Sequence, residues 1–167
     1  MMHDMMMGGG IIAFAERRTE MNRRKFCQGA ILTTLALPLP AIAEPVRATL
    51  YKNPQCICCD DYAAYLRQNG FVIVVKATNN LAVISQKAGV PEKLQGCHTM
   101  FVDGYVIDGH VPVSVIRKLL SERPAIAGIA LPGMPAGSPG MTGRKSGPFT
   151  IYAVTKDGSA PTVYATE

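Results

Sequence analysis

The sequence has no tryptophan, only 7% aromatic residues and only 17% charged residues. So few aromatic side chains leave little platform for stacking nucleobases. Seventeen Lys and Arg stand against 12 Asp and Glu over the whole chain, but from residue 44 onward the balance is only 12 against 9, with no basic run. That mild excess does not support a nucleic-acid partner, and none is expected. Long apolar runs are missing as well. The best candidate, from Phe26 to Leu37, falls short of the roughly 20 residues that a membrane-spanning helix needs, so no stable membrane anchor is expected. There is no internal repeat, and Asp60 and Asp61 read as a solvated helix start rather than an acid–base couple.

The short apolar run has a different explanation. Met21-Asn22-Arg23-Arg24-Lys25-Phe26 supplies a charged start, and Ala41-Ile42-Ala43 ends the segment with small residues. Residues 21–43 therefore read as a signal peptide of the twin-arginine-like type, cleaved near Ala43-Glu44, which places the mature protein in the periplasm. Residues 1–20 fit poorly before such a signal and read as an over-extended start, with Met21 as initiator. Cys27 lies inside the signal and leaves with it. The mature chain, residues 44–167, is the size of one small domain.

Within that domain, strands and helices alternate. Arg47 to Lys52 reads as a strand, and Asn53-Pro54-Gln55 as a turn into a helix that stops at Asn69-Gly70. Phe71 to Val75 is a continuous apolar run, expected as a strand buried on both faces. Asn79-Asn80 is expected to cap a second helix, Leu81 to Lys87, closed by Gly89 and Pro91. Thr99 to Val102 and Tyr105 to Asp108 flank Asp103-Gly104, the signature of a tight hairpin. Pro112 opens a third helix to about Glu122. The Pro/Gly-rich stretch 131–148 is irregular, and a second hairpin, Phe149 to Thr155 with Thr162 to Ala165, forms a C-terminal extension. The order gives an α/β fold, thioredoxin-like, with a mixed sheet flanked by helices.

Against this background, cysteine is concentrated. Cys56, Cys58 and Cys59 open the first helix, and Cys97 stands beside His98 before the hairpin. Cys56 and Cys59 have the C-x-x-C spacing of thiol oxidoreductases, at a helix start whose dipole favours thiolates. Cys58 departs from that motif: a third thiol invites scrambling in a dithiol enzyme, whereas for a metal site it adds a ligand. In thioredoxin-like folds the loop before the hairpin lies against the C-x-x-C and usually holds a cis-proline. Cys97-His98-Thr99 occupies that place instead, so a fourth sulfur and an imidazole are expected within reach of the first three.

Sulfur-rich sites select copper(I), zinc or iron–sulfur clusters, and added imidazole suits copper and zinc. Structural zinc sites usually draw paired knuckles from two hairpins, and known iron–sulfur spacings do not match. Copper is the preferred metal, with thioether-bearing Met134 and Met141 nearby in sequence. His110, before Pro112, reads equally as a ligand or a solvated loop residue, and the two methionines read as an apolar lid or as ligands.

Tyr51 to Cys59, Gly96-Cys97-His98-Thr99, Val102 to Ile107, Gly109-His110-Val111-Pro112 and Gly133 to Met141 occur in an order that resembles one bacterial family. It is the family of predicted metal-binding proteins, long described as a domain of unknown function, that includes the copper-resistance protein CopG. The resemblance spans nearly all of the mature chain. It implies a periplasmic, thioredoxin-like protein that binds copper through cysteine and histidine and can change the metal's oxidation state. The expected metal set is Cys56, Cys58, Cys59, Cys97, His98, His110, Met134 and Met141. Expected partners are copper ions and other periplasmic copper-handling proteins.

Two further readings stay open. Cys56 and Cys59 could serve a thiol–disulfide oxidoreductase, with Cys58 or Cys97 as the resolving thiol. Alternatively, the four thiols form two structural disulfides. A bridge between adjacent Cys58 and Cys59 would be strained, so pairing would have to cross to Cys97.

Overall fold

The computed structural model describes residues 44–167. The expected signal peptide at 21–43, the extension before it and Cys27 lie outside the described residues. Seven strands and three helices follow in the order β1 (Val46–Lys52), α1 (Ile57–Gln68), β2 (Phe71–Ala77), α2 (Leu81–Lys87), β3 (His98–Val102), β4 (Tyr105–Asp108), α3 (Val113–Glu122), β5 (Gly128–Ala130), β6 (Thr150–Val154) and β7 (Val163–Thr166). A 3-10 turn, Glu92–Leu94, precedes β3.

All seven strands form one mixed sheet in the order β2-β1-β3-β4-β5-β6-β7. The β1/β2 and β4/β5 pairs are parallel, and the others are antiparallel. Strand alternation assigns each side chain to a face. Leu50, Ile73, Met100, Val102, Ile107, Ile129 and Ile151 point to one face, where they pack with Tyr62, Ala63 and Leu66 of α1 and Ile116 and Leu119 of α3. Each large apolar side chain buried there contributes about 1.5–3 kcal/mol. Val106, Ala130 and Val154 point to the other face and pack with Val90 and Leu94. The α2 helix lies on that second face too, through Ser85, whose hydroxyl meets Thr99 of β3.

Most elements fall where the sequence puts them, including the Asp103-Gly104 turn, where φ is 46° and 83°. Both central residues are thus left-handed, as the tight hairpin turn demands. Three differences have physical causes. The β2 strand is not buried on both faces: it is an edge strand, and Val72 and Val74 face outward while Phe71 and Ile73 face the core. Asn80 precedes α2 without a side-chain capping bond; its own N–H is held by the Thr78 hydroxyl instead. The C-terminal hairpin is not an appendage. The short β5, unmarked in the sequence, pairs with β4 and β6 and carries the hairpin into the main sheet.

Candidate metal centre

The turn after β1 and the first turn of α1 present three sulfurs together. Lys52, at the end of β1, is only 5% exposed, and its ammonium donates to the Cys56 carbonyl at 2.8 Å and pairs with Asp60 at 2.5 Å. A buried lysine is stable only with such partners. It ties the residue before α1 to the helix's own first turn. Asp60 therefore does more than complement the helix dipole.

Cys56 and Cys59 are joined as a disulfide, whereas Cys58 and Cys97 are free thiols. The pairing thus stays within the C-x-x-C and does not cross to Cys97, leaving two thiols that a two-disulfide scaffold would have consumed. The four sulfurs remain in contact: Cys58 Sγ is 3.4 Å from Cys56 Sγ and 3.8 Å from Cys97 Sγ, and Cys59 Sγ is 3.3 Å from Cys97 Sγ. Antiparallel pairing of β3 with β1 sets His98 opposite Lys52, which brings Cys97 to the cysteine turn.

Two imidazoles complete the cluster. His110 Nε2 lies 3.2 Å from Cys97 Sγ, and His98 Nδ1 lies 3.7 Å from the same sulfur. Both rings are completely buried. The His110 Nδ1–H donates to the Pro139 carbonyl at 2.6 Å, an assignment that leaves Nε2 with its lone pair toward Cys97. An imidazole that gives one N–H to a backbone carbonyl and offers the other nitrogen is the usual arrangement of a metal-ligating histidine. His98 has a different signature: its Nε2 is buried with no hydrogen-bond partner. Buried polar atoms are almost always satisfied, and this one finds no partner within the protein.

Tyr62 holds both rings. Its ring centroid is 4.6 Å from that of His98, stacked, and 5.1 Å from that of His110. Its hydroxyl donates to the Val111 carbonyl at 2.8 Å, fixing the loop that carries His110. The phenol is buried, and that burial, followed by the nearby Tyr65, keeps its proton on well beyond the usual range.

The same burial keeps these groups neutral. Burial first, and His110 second, push His98 down to about 3, and burial also lowers His110, so both imidazoles stay uncharged. Neutral imidazole is the ligating form. Burial and then the neighbouring Cys58 push the Cys97 thiol up to about 12. Without a metal, Cys97 keeps its proton, and metal binding has to displace it.

Beneath the Cys97 loop lies a buried polar row. Asp108 is raised to about 6 by burial, partly offset by the bonds it accepts from the Gly96 N–H and the Thr99 hydroxyl. The Thr99 hydroxyl donates to Asp108 Oδ2 at 2.8 Å and accepts from the Ser85 hydroxyl at 2.6 Å, with Ser85 Oγ also 3.1 Å from the Leu81 carbonyl oxygen. Through Gly96, the row fastens the residue before Cys97 to β4 and α2.

The irregular 131–148 stretch closes over the cluster. Pro139 accepts from His110, and Gly140 sits so close to α1 that a Cβ there would lie 2.6 Å from Tyr62 N and 3.0 Å from the Cys58 carbonyl. Met141 follows at once, half-buried, with its N–H on the Ser138 carbonyl. Met134, also half-buried, adopts a left-handed φ of 46° in the turn that starts the stretch.

Two groups of metal-competent side chains result: Cys56, Cys58, Cys59 and Cys97, and Cys97, His98 and His110, with donor atoms in each group within 4.8 Å of one another. They share Cys97. The expected cysteines and both histidines therefore come together. Lys52, Tyr62 and Asp108 are the supporting residues that the sequence alone did not reveal. Among the described residues, no helix is long and apolar enough to cross a membrane.

Fold and site together define a mixed α/β protein with a buried Cys/His cluster of metal-binding type. Residues 94–141 match the family model described as a protein of unknown function, DUF411. Two solved structures named as the copper resistance protein CopG, in two forms, are each 34% identical to this chain and cover 74% of it. The chain in turn covers 99% and 98% of theirs, with TM-scores of 0.69 and 0.68. The chain belongs to the CopG copper-resistance family. No curated protein matches the sequence.

Proposed function

We propose that this protein binds copper at the Cys/His cluster and serves copper handling or resistance in the periplasm, through a mixed thiol and imidazole donor set that accommodates both copper(I) and copper(II). The observation that carries this reading is the convergence of Cys58, Cys59, His98 and His110 on Cys97, with His98 Nε2 buried and unpartnered. Copper(I) is the soft ion that thiolates and neutral imidazoles hold best, and imidazole also accommodates copper(II). The name of the two similar structures, copper resistance protein, supports the choice of metal.

Several features of the chain suit this task. Cys97 would give up its proton to a bound metal, Tyr62 packs against both imidazole rings, and Lys52 holds the cysteine turn by joining the Cys56 carbonyl to Asp60. The stretch 131–148 packs against α1 at Gly140 and accepts from His110 at Pro139, which supports a role in covering the cluster. The β1-α1-β2 unit, the β3-β4 hairpin and α3 support a thioredoxin-like reading of the fold, with Cys97-His98 in place of the usual proline. The apolar run at 26–37 after paired arginines supports export.

The free Cys58 beside the Cys56–Cys59 disulfide also keeps a thiol–disulfide oxidoreductase in view as the second reading. Anaerobic titration with copper(I) against a competing chelator, run beside an insulin-reduction assay, separates the two. Tight copper binding lost in Cys97→Ser, without insulin reduction, is the expected result. Insulin reduction that survives Cys58→Ser, with no tight copper binding, would replace copper handling by thiol exchange.

A further inference from the structure

The four sulfurs are not equivalent. Two are tied to each other as the Cys56–Cys59 disulfide, while Cys58 and Cys97 remain free, in contact with each other, and Cys97 adjoins both imidazoles. A sulfur in a disulfide has no thiolate to offer a soft metal, so the oxidised protein presents only Cys58, Cys97, His98 and His110. Reduction adds Cys56 and Cys59 without moving the scaffold, because Cys59 Sγ already lies 3.3 Å from Cys97 Sγ and Cys56 Sγ already lies 3.4 Å from Cys58 Sγ. Building on the copper reading above, we infer that the Cys56–Cys59 disulfide is a redox gate that sets how much copper(I) the cluster holds: two sulfurs when oxidised, four when reduced.

The gate has a defined entry. Cys59 is completely buried, whereas Cys56 is half-buried at the start of α1, next to Ile57, which is 76% exposed. A dithiol reductant from solvent therefore attacks Cys56 Sγ. The S–S bond breaks, Cys59 leaves as a thiolate and takes a proton, and Cys56 is held in a mixed disulfide. The second thiol of the reductant displaces Cys56, which leaves as a thiolate and is protonated in turn. The reductant departs as its own disulfide, so two electrons and two protons have entered the protein. Cys59 is released against Cys97, so the new donor appears at the residue shared by both ligand groups.

The test uses the full chain in two states under anaerobic conditions: as the disulfide, and after treatment with dithiothreitol followed by its removal. Free thiols are counted with a chromogenic disulfide, and copper(I) is titrated against a chelator. Reduction is expected to raise the thiol count by two and the copper(I) stoichiometry by about twofold, in step with the sulfurs available. Reoxidation should reverse both. In the Cys56→Ser/Cys59→Ser double variant, dithiothreitol should leave the stoichiometry at the oxidised level. An equal stoichiometry in both states of the unaltered chain, while the thiol count changes by two, overturns the gate and leaves copper binding intact. No tight copper(I) binding in either state overturns the copper reading and the gate with it.

Discussion

Cys97 Sγ lies 3.2 Å from His110 Nε2, and no other sulfur–imidazole pair in the cluster is set closer. The same sulfur touches Cys58 and Cys59, so Cys97 is where the thiol half and the imidazole half of the site meet.

Cys97→Ser removes the donor common to both ligand groups. Its copper(I) affinity should fall by more than the roughly 10–100-fold that losing an outer hydrogen-bond partner costs, and by more than in Cys58→Ser. Chelator competition on both variants checks the order. Equal losses would mean that Cys97 is not the shared donor.

Lys52→Met leaves the Cys56 carbonyl without its donor and Asp60 without its partner. Copper(I) affinity should drop by about 10–100-fold, with Lys52→Arg retaining more because it keeps the charge and donors. The same titration reads this out. Identical behaviour of the two variants would show that charge and hydrogen bonding at Lys52 do not matter to the site.

These two predictions rest on features of unequal visibility in the sequence. The cysteine cluster and Cys97-His98 were legible because thiols in tight spacing are chemically unusual, and the hairpin was legible because Asp103-Gly104 marks its turn. His110 was ambiguous, since only folding buries the loop before α3. Lys52, Tyr62 and Asp108 carry no local signal: a lysine ending a strand and a tyrosine within a helix look ordinary until β1, α1 and β3 are side by side. The edge position of β2 was hidden for a related reason. Phe71-Val72-Ile73-Val74-Val75 is apolar at every position, so its pattern could not reveal that one face stays open. Three residues of β5 were too few to show a period at all.

Tyr62→Phe keeps the ring against His98 and His110 but leaves the Val111 carbonyl without its donor. Unfolding in urea should show a loss of about 1–3 kcal/mol, with a smaller loss of copper(I) affinity than in Tyr62→Ala, because only the bond that steadies the His110 loop is gone. Tyr62→Ala removes the ring and should cost about 3–5 kcal/mol as well as affinity. A Tyr62→Phe variant with weakened copper binding but unchanged stability would reverse the role assigned to the hydroxyl.

Gly140→Ala places a Cβ 2.6 Å from Tyr62 N, at a φ of 76° that side chains rarely adopt. The neighbouring atoms are backbone and cannot swing aside, so the stretch 131–148 must lift from α1. Strain of about 1–3 kcal/mol is expected, together with faster hydrogen exchange across 131–148 and weaker copper(I) retention. Unchanged exchange in that stretch would contradict the contact.

The most direct test of copper binding at this cluster is X-ray absorption at the copper edge on the full chain, reduced and loaded with copper(I). The account predicts a scattering shell dominated by sulfur with an imidazole contribution, the imidazole part diminishing in His110→Ala and the sulfur part in Cys97→Ser. A shell of oxygen or nitrogen alone, unchanged by either substitution, would contradict it.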